Sequence, residues 1–134
     1  MADKDRWKKG LAKFKEVYCG DVVALPRGSS DFFDLMIENL FGEVWTREAL
    51  DQRDRRMLML GAIAAMGESM TFGIQIKAAL KNQELTPDQA REILVHMSQY
   101  VGYPRVAPLV GVVEQKIAEV AKAAEESRGE TETG

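Results

Sequence analysis

Residues 85–104, LTPDQAREILVHMSQYVGYP, fix the class of the fold. Thr86 has the hydroxyl that a helix N-cap requires. Pro87 suits the first helical position, where no backbone donor is needed, and Gln89 completes a capping box. Ile93, Met97 and Tyr100 then recur at spacings of four and three, which makes an apolar stripe along one helical face. The helix should stop at Gly102-Tyr103-Pro104. A start signal, a 3.6-residue period and a stop signal therefore agree within one segment.

Working outward, the same period holds almost everywhere. Trp7, Leu11, Phe14 and Tyr18 stripe a first helix over about 4–17. Cys19 to Ser29, with two glycines and a proline, reads as a connection. Val22–Leu25 is the only short strand candidate, and Pro26-Arg27-Gly28 ends it. Ser30 is placed to cap a second helix whose apolar side carries Phe32, Phe33, Met36, Ile37, Leu40 and Val44. Gly42 should loosen its last turn. Asp51 caps a third helix, apolar all round from Met57, which predicts the buried centre of the domain. Gly67 ends or bends it. A fourth helix carries Phe72, Ile76, Ala79 and Leu80 and stops near Asn82. A last long helix begins near Arg105 and fades into ESRGETETG, a polar stretch expected to be disordered. These spans predict an all-α fold of about six helices, with one domain over residues 1–126 and a tail over 127–134.

Composition narrows the function. The chain has 134 residues, 46% hydrophobic and 29% charged, with a net charge of −3. That balance argues against nucleic acid, which needs a cationic surplus on one surface. Basic residues gather in two places, Lys4 to Lys15 and Arg53 to Arg56. They read as solvated helix faces or as attractors for a small anion. Cys19 is the single cysteine, which rules out an internal disulfide, favours a reducing compartment and marks a bystander thiol. No apolar stretch has the length of a membrane span, and no secretory signal opens the chain. The expected location is therefore cytoplasmic. The seven methionines read as core filler. No zinc spacing, phosphate loop or serine-nucleophile motif is present, and one histidine without a cysteine cluster lacks the usual ligands of a metal, so no metal site is expected.

Three polar residues fall where the period predicts burial. His96 lies at the edge of the Ile93/Met97/Tyr100 stripe. There it either donates to a developing oxyanion and moves a proton, or is satisfied by a backbone carbonyl. Glu43 follows Met36 by seven. It is either an acid with a raised pKa or a surface carboxylate past a frayed helix end. Glu68 either stands at the C-terminal end of the third helix, where the dipole disfavours it and it is compensated by a nearby Lys or Arg or serves a site, or opens the next helix, where the dipole would favour it.

FGEVWTREALDQRDRRMLMLGAIAAMGE (residues 41–68) and IKAALKNQELTPDQAREILVHMSQYVGYPRV (residues 76–106) together resemble the carboxymuconolactone decarboxylase family. Gly42 to Arg47, Arg53 to Arg56, Ala78 to Asn82, the Thr86 cap, His96 and Tyr100 to Pro104 follow one another in the family's order. A weaker match runs through the first helix and its YCGDVV loop. The resemblance implies an AhpD-like helical bundle assembled as a homotrimer or homohexamer. In the peroxidase-like branch of that superfamily a Cys-x-x-Cys pair is followed four residues later by a relay histidine. Those positions hold Glu68, Thr71 and Gln75 here, so thiol redox chemistry lacks its sulfur.

The resemblance instead implies a cofactor-independent decarboxylase of a small anionic substrate such as 4-carboxymuconolactone, in aromatic catabolism. His96 would be the oxyanion donor or proton source, and Glu43 the acid or the group that destabilises the departing carboxylate. Arg47, Arg55 and Arg105 would anchor the anion, and Trp45 and Tyr100 would exclude water. Glu68 and Gln75 join the substrate-binding set. A lyase or isomerase acting on another carboxylated substrate, and a non-catalytic oligomeric protein, are the alternatives on the same scaffold.

Overall fold

The computed structural model describes residues 2–133, with side chains over 5–130. Six helices follow in order. They are α1 (Ala2–Tyr18), α2 (Asp31–Leu35, continued as a π-helix over Met36–Val44), α3 (Gln52–Met66), α4 (Ser69–Lys81), α5 (Pro87–Val101) and α6 (Tyr103–Thr133). No strand occurs among the described residues, and Val22–Leu25 is irregular. The fold is all-α, as the periodicity requires.

Internal contacts gather the chain into two compact units, Met1–Arg55 and Arg56–Gly134, where the sequence pattern suggested one domain over 1–126. In the first unit, Ser30 caps α2 by accepting from the Phe33 amide at 3.3 Å. The helix then widens: the Trp45 amide donates to the Leu40 carbonyl, five residues back, at 2.8 Å. Phe33, Ile37, Phe41 and Trp45 form the buried row, each four residues after the last. In an α-helix such a row drifts sideways by about 40° per step. The wider π turn, at about 4.4 residues per turn, swings the row back by a similar angle. Phe32, Leu40 and Val44, expected on the apolar side, are exposed instead, Phe32 at 80%. The changed turn is also why Glu43 does not fall back on the Met36 face.

Aromatic edges close this core. Phe14 of α1 meets Phe33 at 5.7 Å and Phe41 at 5.2 Å, both edge-to-face. Backbones come equally close where α1 crosses the π-helix. A Cβ on Gly10 would overlap the Ile37 carbonyl, and one on Gly42 would lie 2.8 Å from the Arg6 carbonyl oxygen. Gly42 is thus a contact residue and not a loosening of the helix end.

In the second unit, the core is Leu60, Ile63 and Ala64 of α3, Phe72, Ile76 and Ala79 of α4, Ile93 and Leu94 of α5, and Val106, Leu109 and Val113 of α6. The Thr86–Gln89 capping box is formed in both directions, at 3.1 and 3.0 Å. Gly102 ends α5 in a left-handed conformation, φ 95°. Two expectations are corrected. α3 is not buried all round: Leu58 (66% exposed), Ala62 and Met66 (72% exposed) make an outward apolar stripe. The tail over 127–134 is helical through Thr133, where α6 continues without interruption, with side chains exposed over residues 127–130; Gly134 lies outside the described residues.

Gly10→Ala should therefore destabilise the protein by about 1–3 kcal/mol through forced backbone separation. Gly111→Ala, in helical backbone with open space around it, should stabilise by about 0.5–1 kcal/mol. Urea unfolding of the two variants beside the parent checks both signs.

Candidate functional site

In the first unit the GEVWTR segment supplies an exposed ion pair. Glu43 lies 3.8 Å from Arg47, one turn apart. Arg55 donates to the Arg47 carbonyl at 3.0 Å and so holds the chain where the π-helix ends. Thr46 donates to the Gly42 and Glu43 carbonyls, both at 3.1 Å, and closes the same end. Lys9, Glu43, Thr46, Arg47, Glu48 and Ala49 line an open polar depression of about 390 Å³. Two of the expected site residues, Glu43 and Arg47, thus come together beside a second cation, Lys9. Trp45, expected as a wall, is buried and stacks on Phe41 at 6.1 Å.

In the second unit His96 is exposed on α5, with its ring 5.1 Å from that of Tyr100. Tyr100 is itself 76% exposed. Neither His96 nor Glu43 is buried in the single chain, contrary to the helical-period reading. His96 sits at the outer edge of its stripe, and the π turn rotates Glu43 outward. Arg105 donates to the Ala65 carbonyl at 2.9 Å and satisfies the end of α3. Glu68 opens α4, the second of its two readings, and accepts from the Met70 and Thr71 amides at 3.0 and 2.8 Å. Hydrogen bonds from the Thr71 side chain and amide hold its carboxyl below the ordinary value.

Sequence reasoning missed one cluster. Arg56, grouped there with Arg53 and Arg55 as part of a basic patch, is fully buried. It grips Glu84 through two parallel bonds of 2.8 and 3.1 Å, and Asn82 donates to the same carboxylate at 3.1 Å. A further N–H of Arg56 donates to Gln75 Oε1. The signal was available, since Arg56, Leu60, Ile63 and Ala64 share one helical face. Gln75 is also fully buried, and its Nε2 has no hydrogen-bond partner. Leaving such a donor unmet costs about 1–3 kcal/mol. Chemically, the cluster offers a fixed cation, its counter-ion and a carboxamide with spare donors.

The sequence pattern of the carboxymuconolactone decarboxylase family matches residues 30–115, well over half of the chain. The chain belongs to that family. It is 28% identical over 109 residues to the 4-carboxymuconolactone decarboxylase of Acinetobacter baylyi, covering 78% of this chain and 81% of the relative. It is 29% identical over 97 residues to a nitrosuccinic acid decarboxylase of Metarhizium robertsii, covering 72% of this chain and 67% of that protein. The family segment contains every candidate residue from Glu43 to Arg105, together with Arg56, Gln75 and Glu84. Helix α1 lies outside it.

The Glu68 cap carries a pH signature. Its folded carboxyl titrates below the ordinary value near 4.5, so its contribution to stability is present above that value and is lost as pH falls through the folded one. Glu68→Gln should flatten the acid limb of stability between about pH 5 and pH 2. Urea midpoints collected across that range, which should converge for parent and variant at the acid end, check it.

Proposed function

We propose that this member of the decarboxylase family is a cofactor-independent carboxy-lyase for a small carboxylated acid, with 4-carboxymuconolactone as first candidate. The observation that carries the reading is that both relatives above, at similar identity, have names that make them decarboxylases. Their named substrates share a chemical logic. In 4-carboxymuconolactone the departing carboxylate is vinylogous to a lactone carbonyl. In nitrosuccinic acid a carboxylate shares its carbon with a nitro group. Each molecule holds its own electron sink, so neither requires a cofactor.

The step balances simply. The bond to the carboxylate carbon breaks, and carbon dioxide leaves. The electron pair moves through the conjugated system onto the lactone carbonyl oxygen, giving a dienolate. A proton then returns to carbon. In our reading His96 delivers that proton or binds the oxyanion, and Glu43 serves as the acid or destabilises the departing group. Arg47, Arg55 and Arg105 are the candidate anchors for the remaining carboxylate. Trp45 and Tyr100 are the apolar walls, and Glu68 and Gln75 complete the set that meets substrate.

His96, Tyr100, Glu43 and Arg47 are all exposed in the single chain. Exclusion of water therefore calls for a cover, and we assign that cover to neighbouring copies in a homotrimer or homohexamer. The outward stripe of Leu58, Ala62 and Met66 supports this assembly, because apolar stripes on a soluble surface mark contacts. Among the described residues no helix is long and apolar enough to cross a membrane. A cytoplasmic role in aromatic-compound breakdown fits the reading. The relative named for nitrosuccinic acid favours one second reading, the same chemistry on a nitro-substituted dicarboxylate.

The test offers purified protein 4-carboxymuconolactone and nitrosuccinate separately and follows carbon dioxide release. Release from one is expected. His96→Ala should lower kcat by about 10²–10⁴-fold with the unfolding midpoint unchanged. No release from either, by a folded sample, would overturn the reading.

A further inference from the structure

Arginine has donors only, so the Gln75 atom that meets Arg56 must be the carbonyl oxygen. This fixes the carboxamide. Oε1 is committed to Arg56, and Nε2 points the other way with both of its hydrogens unmet. Among the described residues that have a buried polar atom without a partner, Gln75 alone is itself fully buried. Arg56 cannot rotate to release it, because its other nitrogens are held by both oxygens of Glu84, and Asn82 pins that carboxylate in turn.

An acceptor for Arg56 would be enough to satisfy the cation. A carboxamide there also adds two donors that no described residue uses. A donor held rigid, shielded from water and left free has the properties that stabilise a developing negative oxygen, since it needs no reorganisation when charge appears. Closure around it means that a ligand enters by local opening, and the same closure strengthens the bond once formed.

We propose that the Gln75 carboxamide is the donor that receives the anionic oxygen of an enolate-type ligand, with Arg56 and Glu84 as positioning residues that hold it in its donating orientation. The ligand class rests on the decarboxylase reading; the donor role rests on the geometry alone. The division of labour leaves the proton to His96.

The probe is tetronate, the enolate of a five-membered lactone that persists at neutral pH, with succinate as a carboxylate without an enolate. Titrated into the full-length parent, tetronate should shift the Gln75 side-chain amide protons in nitrogen-edited NMR spectra, and succinate should not. Gln75→Glu keeps an oxygen for Arg56 and removes the donor. It should retain or raise the unfolding midpoint, weaken tetronate at least tenfold, and lower kcat on the decarboxylated substrate by about 10²–10³-fold.

Equal tetronate affinity in Gln75→Glu, or Gln75 amide protons that ignore tetronate in the parent, would overturn the proposal. The parent spectra decide it even if that variant fails to fold. A parent that binds tetronate at Gln75 yet releases no carbon dioxide from the lactone keeps this inference and removes the substrate assignment. Carbon dioxide release with silent Gln75 protons does the reverse.

Discussion

The second unit is organised around one buried cation. Arg56 has no exposed surface, and an unpaired guanidinium in such a place would be strongly destabilising. The pairing with Glu84 is therefore obligatory and not decorative. It ties the start of the α3 core face to the turn after α4, and it sets the register of the apolar residues between them. Leu60 and Ile63 of α3 and Ile76 and Ala79 of α4 belong to the one core cluster that flanks the Arg56–Glu84 pair. The same pair fixes the orientation of Gln75, so one electrostatic constraint links packing to the proposed chemistry.

Much of the helix inventory was legible because its signals are local. The capping box at Thr86, the cap at Ser30 and the stop at Gly102 are short-range hydrogen-bond chemistry, and each occurs where the residues indicate. The π-helix was not legible. Phe33, Ile37, Phe41 and Trp45 lie four apart, which suits an α-helix almost as well, and only packing against α1 decides between the two. Gly42 misled for the same reason: its value lies in a contact with Arg6, distant in sequence. The stripe of Leu58, Ala62 and Met66 looked like core because composition does not distinguish a buried face from an outward one.

The candidate site divides along similar lines. The resemblance ran over residues 41–106, and the family match over residues 30–115 covers that segment. Individual roles were harder. Glu68 gave readings at the end of one helix and at the start of the next, and the structure realises the second, a cap. Arg56 was hidden by its neighbours, because three arginines within four positions look like a solvated patch, although in the structure only Arg56 is fully buried. Gln75 stood out in the sequence as a departure from the peroxidase-like pattern. Its spare donor becomes visible only when the partner of its oxygen is known.

The most direct measurement compares a single and a double variant at Arg56 and Glu84 by urea unfolding. Glu84→Ala alone should cost about 3–5 kcal/mol, because it strands a buried charge. Arg56→Met combined with Glu84→Leu should recover most of that loss, since neither charge then remains. A loss below about 1 kcal/mol for Glu84→Ala, in the range of an exposed pair, would contradict the account.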